Sequence, residues 1–182
     1  DVYKRQVTKS LVREVKTDDA GCFQSALNPG LTKIAVIERH KRTGKLGIGI
    51  LEGYGLTGGA IATTISHDSH NIVVAGDNDP DMLLAVRELA DMGGGIVSVH
   101  GGAIRRLPLP IAGLMTSADP QEVNAVLHDM LVAARAELGI PEDVEPFMTL
   151  SFMALPVIPE LKLTARGLFN VNTFSFVGVE AD

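Results

Sequence analysis

His67, Asp68 and His70 fall within four consecutive positions of the stretch SHDSHN, residues 66–71. Neutral imidazoles and a carboxylate can ligate a borderline-soft divalent ion. The same groups can move a proton or orient a substrate. Ser66, Ser69 and Asn71 add short polar side chains of the kind that bridge loop backbone. Three readings stand side by side: a structural polar loop, one wall of a larger substrate site, and a self-contained metal site. The last is the most demanding. Neighbouring side chains of an extended segment alternate in direction, so joint coordination requires a bent loop. The other possible ligands, Asp77, Asp79, His100 and Glu180, lie outside the stretch. Ser69 beside histidines is not a nucleophile–base pair without supporting geometry.

The segments around the stretch must place it. AIATTI (60–65) and IVVAG (72–76) bracket it as strand-like runs, and IAVIE (34–38) with LGIGIL (46–51) form an earlier pair. Turn-forming Thr43–Gly44 and Gly58–Gly59 punctuate these runs. The pattern predicts hairpins around 34–51 and 60–76, with the His-rich stretch at strand ends. A helix is expected after Asp79 as N-cap and Pro80 as first residue, with Met82, Leu83, Val86, Leu89 and Ala90 on its apolar face. Gly93, Gly94 and Gly95 end it, and GIVSVH and AIRRL follow as strands. Asp119, Pro120 and Glu122 start a second helix carrying Val123, Val126, Leu127, Met130, Leu131, Ala134 and Leu138. His128 is expected to sit at the surface or pack at the helix edge. The resulting expectation is an α+β fold, a mixed β-sheet with β-hairpins packed against helices.

At 182 residues, with 46% hydrophobic and 21% charged, the chain fits one soluble domain with a substantial core. Its single Cys22 excludes an internal disulfide and an all-cysteine metal site. Residues 1–45 carry ten Lys/Arg against five Asp/Glu, but the positive charges are scattered and no nucleic-acid module accompanies them. Nucleic-acid binding is therefore not expected. PFMTLSFMALPVIP, 146–159, is 14 residues long and broken by prolines, whereas a membrane span needs roughly 20 apolar residues. A cytoplasmic protein that does not contact membranes is the expectation. The opening DVYKRQ lacks an initiating Met, which suggests a fragment or processed product.

Neither GIGILEGYG nor any other segment matches a dinucleotide fingerprint or a phosphate loop. LPLPIAGLM and FMTLSFMALPVIPEL combine apolar side chains with rigid prolines. They seal the local core or form an interdomain or subunit surface, with Pro108, Pro110, Leu114, Met115, Phe147, Met148, Phe152 and Met153 as the candidate contacts. Glu38, Arg39 and His40 are surface charges or part of the same interface. Arg105 and Arg106 share that ambiguity.

Several of these stretches carry a resemblance. VIERHKRTGKLGIGILEGYGLTGGAIATTISHDSHNIVVAGDND, MGGGIV, LPLPIAGLM and EPFMTLSFMALPVIPELKLTARGLFNVNTF stand in order across residues 31–177. In them the chain resembles the C-terminal domain of bacterial-type adenine deaminase, of the amidohydrolase superfamily. Residues 1–30 then read as an N-terminal extension or interdomain segment, and 31–182 as the domain itself. The resemblance implies conversion of adenine to hypoxanthine and ammonia by a complete enzyme, with Mn²⁺ or Fe²⁺ in a separate amidohydrolase barrel. That barrel and its HxH motif are absent here; His67 and His70 are spaced HxxH. Implied partners are the barrel of the same polypeptide and further copies in a homo-oligomer. The isolated domain is expected to bind no cofactor and to have little or no activity, with no catalytic or metal-binding residue assigned on it. A ligand-binding or oligomerisation scaffold is the alternative.

Overall fold

The computed structural model describes residues 6–180. The two early pairs of apolar runs become β1 (Leu31–Ile37) with β2 (Leu46–Glu52), and β3 (Gly59–Thr63) with β4 (Ile72–Gly76). After them come α1 (Asp79–Asp91), β5 (Gly95–His100) and β6 (Ala103–Pro108). The chain continues through α2 (Pro120–Ala136), α3 (Pro146–Met153), β7 (Leu161–Thr164), β8 (Gly167–Asn170) and β9 (Ser175–Val177). The α+β class holds, and the expected hairpins β1–β2, β3–β4 and β5–β6 are present.

Six strands form one sheet in the order β2-β1-β4-β3-β5-β6, and β7-β8-β9 form a second. The mixed sheet expected from the sequence is corrected, although α1 joins β4 to β5. Those two strands do run in the same direction, but β3 lies between them and pairs antiparallel with both. Every described strand pair is antiparallel.

The main sheet buries both faces, which explains why β3 and β4 are buried at every position. One face, with Ala35, Ala60, Ala62, Val74, Val97 and Val99, packs under Met82, Ala85 and Leu89 of α1. The opposite face, with Ile34, Val36, Ile61, Val73 and Ile96, meets Met130 and Ala134 of α2, Phe147 and Leu150 of α3, and Leu163 of β7. Burying a leucine such as Leu150 stabilises the fold by roughly 1.5–3 kcal/mol.

Helix boundaries correct several details. Asn78, rather than Asp79, caps α1: its side-chain oxygen accepts from the Asp81 amide at 2.8 Å, and Asp79 is already helical. The buried row is Met82, Ala85 and Leu89, leaving Leu83 and Ala90 exposed, because α1 touches the sheet through a narrow stripe. Asp119 caps α2 as expected, accepting from the Gln121 amide at 2.7 Å. Val126 faces out, and His128 is exposed. Helix α3 occupies a stretch read as proline-broken. Its proline stands at the first helical position, where no donor is lost, and the Glu145 carboxylate caps it by accepting from the Met148 amide.

Candidate functional site

The main sheet sets the place of residues 66–71. Pairing Ile37 with Ile72, Thr63 with Ile96 and Gly95 with Pro108 gathers four connections at one end of the sheet. These are the 38–45 turn, the 64–71 loop, the glycines after α1, and the 109–115 turn. Helix α3 supports the loop from beside the sheet. The Ser151 hydroxyl donates to the Ile65 carbonyl at 2.5 Å, and the His67 amide donates to the Ser151 carbonyl at 3.2 Å.

Within the loop the side chains separate by direction. Asp68, Ser69 and Asn71 line an open groove of about 910 Å³. The His67 ring packs on Phe152 at 5.1 Å between centroids, with the His70 ring 5.9 Å away. His70 closes the loop on itself. Its amide donates to the Ser66 carbonyl at 2.6 Å, and its Nδ1 faces the Ser66 amide at 3.4 Å. That arrangement favours a neutral ring with the proton on Nε2. Burial lowers the His70 pKa from its ordinary value, and the charges of His67 and Arg39 push it the same way. Ser66 is fully buried. Among the described residues, no group of three or more His, Cys, Asp or Glu side chains is arranged to hold a metal ion.

The carboxylate is different. Asp68 is exposed, and among the described residues it has no hydrogen-bonding or ion-pairing partner. The same groove is lined by Phe169, Phe174 and Phe176, with Lys41, Lys45 and Arg166 also on its lining. Phe174 and Phe176 meet Phe169 edge-on at 5.3 and 5.2 Å, and the Arg166 guanidinium lies 4.8 Å from the Phe176 centroid. Sequence reasoning missed this aromatic wall. Its signal was present, because three of the chain's six phenylalanines lie between 169 and 176.

The remaining candidates divide between inner and outer roles. Glu38 organises its own turn, accepting from the amides of His40, Lys41 and Thr43 at 2.6, 2.7 and 3.0 Å and from the Thr43 hydroxyl. Led by the Thr43 amide, these bonds lower its pKa to about 2. His40 Nε2 donates to the Ser69 carbonyl at 2.8 Å, so it too holds the loop. Arg39 turns inward rather than outward, its guanidinium donating to the His70 and Ala112 carbonyls. Phe147 and Met153 are buried within the chain's own core. Met115, Met148, Pro108 and Pro110 are exposed, and Leu114 and Phe152 half-buried. Arg105 forms a paired bond with Glu137, both contacts at 2.7 Å, and Arg106 pairs with Glu88 at 2.5 Å.

The geometry is that of a rigidly held loop opening one carboxylate onto an aromatic-walled groove. A family model described as adenine deaminase C-terminal domain matches residues 5–175. A protein named adenine deaminase from Nitratidesulfovibrio vulgaris (Hildenborough) is 60% identical over 174 residues, 95% of this chain and 30% of that protein. Adenine deaminase of Clostridium acetobutylicum is 48% identical over 171 residues, 93% of the chain and 30% of its own length. That of Bacillus velezensis is 46% identical over 172 residues, 92% of the chain and 29% of its length. This chain therefore spans about 30% of the length of the relatives it matches. Among the described residues no helix is long and apolar enough to cross a membrane. With nearly its whole length matched, the chain belongs to the adenine deaminase C-terminal domain family.

Proposed function

We propose that this domain completes the purine site of an adenine deaminase, in which water replaces the exocyclic amine of adenine to give hypoxanthine and ammonia. A barrel outside this chain would hold Mn²⁺ or Fe²⁺, which supplies an activated water. The chain's own share is recognition and enclosure. The observation that carries this reading is the groove, lined by Asp68, Ser69 and Asn71 together with Phe169, Phe174 and Phe176. A carboxylate without a partner accepts purine N–H groups, and aromatic faces take a planar ring. His67 and His70 serve by packing and by fixing the loop.

The groove exceeds one purine in volume, leaving room for the barrel to enter it. Its rim carries Val157 and Phe174 at 68% and 81% exposure, which suits an interdomain surface. Met115 and Met148 extend apolar exposure elsewhere on the chain, where contact with a further copy in a homo-oligomer belongs to the same proposal.

A chimera provides the test: this chain replaces the matching 174 residues of the Nitratidesulfovibrio vulgaris protein. Asp68→Ala in that chimera is expected to lower kcat/KM for adenine by about tenfold or more, with unchanged metal content and melting temperature. Kinetics indistinguishable from the parent chimera would count against a purine-facing loop. The 182-residue chain with added Mn²⁺ or Fe²⁺ is expected to produce no hypoxanthine, and robust turnover would overturn the accessory role.

A further inference from the structure

We propose that Arg39 is a positioning residue, a brace that sets the 66–71 loop for its partner, and this inference rests on the purine-facing reading of that loop. Its guanidinium reaches two segments remote in sequence. Nε donates to the His70 carbonyl at 2.6 Å, and Nη2 donates to the Ala112 carbonyl at 2.7 Å. Its backbone amide adds a longer bond, 3.4 Å, to Asn71 Oδ1. A residue just beyond the end of β1 thus holds the C-terminal end of the stretch, at positions 70 and 71.

The far anchor is itself fixed. Thr64 Oγ1 donates to the Gly113 carbonyl at 2.6 Å and accepts from the Gly95 amide at 2.8 Å. The 109–115 turn is thereby tied to the strands below. Gly113 has φ of +75°, and a Cβ there would come within 2.8 Å of the Arg39 guanidinium. Only glycine leaves room for the brace while adopting that backbone.

The chemistry of the side chain matters as much as its reach. A planar guanidinium offers donors in a fixed fork, so it can serve two carbonyls in different directions at once. A lysine ammonium has no such fork. Among the described residues Arg39 has no carboxylate partner, and its charge is satisfied by carbonyl oxygens. Burial accordingly lowers its pKa. That retained positive charge also acts on His70, which faces His67, His40 and Asp68 besides Arg39. Removing the cation is therefore expected to raise the His70 pKa.

The experiment uses the chimeric enzyme with Arg39→Ala and Arg39→Lys, beside Asp68→Ala. Arg39→Ala is expected to lower kcat/KM for adenine about tenfold or more, without loss of bound metal. Millimolar guanidinium chloride should restore part of that loss, and NMR of the His70 ring should show its titration moved to higher pH. A side chain that only filled space there would give neither response. Arg39→Ala kinetics within about twofold of the parent, alongside an impaired Asp68→Ala, overturn the brace and leave the purine-facing loop standing. If both variants match the parent, both inferences fall. Should Arg39→Ala not fold, Arg39→Lys decides: full activity from a side chain without the fork overturns the proposal, and a loss of about tenfold in kcat/KM with unchanged bound metal and melting temperature supports it.

Discussion

Asp68 and Asp77 stand beyond opposite ends of β4, and they use the same functional group in opposite ways. Asp77 is consumed by the backbone: its carboxylate accepts from the amides of Gly58 and Gly59 and from the Asn78 side chain. Asp68 lines the groove, exposed and with no partner among the described residues. A carboxylate whose lone pairs are filled by local donors closes a turn and has little left for a ligand. One held by a braced backbone, with its oxygens unfilled, is available for recognition. The residue type is equal at both ends, and the surrounding donors decide the role.

That contrast breaks most visibly under substitution at Asp77. Asp77→Ala strips acceptors from the Gly58 and Gly59 amides and is expected to destabilise the domain by about 2–3 kcal/mol in urea unfolding. Asp68→Ala, by contrast, should stay within about 0.5 kcal/mol of the parent. Equal losses at the two positions would erase the distinction drawn here.

A buried cation sharpens the same point with a smaller effect. Lys162 is among the fully buried side chains, and its ammonium donates to the Gln6 carbonyl at 2.7 Å. Burial lowers its pKa to about 8 from 10.5. The unfolded chain therefore binds more protons than the folded one between those values, and stability rises with pH through that window. Lys162→Met should remove the slope between pH 8 and 10.5 and stabilise the domain at pH 7 on the order of 1–2 kcal/mol, as followed by urea unfolding across pH. A persistent slope in the variant would assign it to another group.

The sequence carried the hairpins clearly, because apolar runs such as IVVAG and GIVSVH stand between glycine-marked turns. Helix α2 was equally legible from Asp119–Pro120 and its apolar spacing. Helix α3 was not, since Pro146, Phe147, Leu150, Ser151 and Met153 are buried around most of its circumference and leave no polar face to reveal a period. The antiparallel order was hidden as well, because inserting β3 between β4 and β5 is a long-range pairing with no local mark. At the site, SHDSHN announced polar chemistry but not its direction. Which side chains open outward depends on Arg39, His40, Thr64 and Ser151, and none of them lies inside the stretch.

The groove has two walls of different structural dependence. Its polar wall hangs from the six-stranded sheet, while Phe169, Phe174 and Phe176 belong to the β7–β9 region, and among the described residues no strand hydrogen-bonds across the two sheets. Composition at the exposed Phe174 and Phe176 can therefore change without altering the strand pairing that carries Asp68, whereas Leu163 and Leu168 pack into the main sheet's core and are tied to it. Across descendants of this domain, the partner or ring admitted by the groove can drift while the carboxylate that meets it stays put.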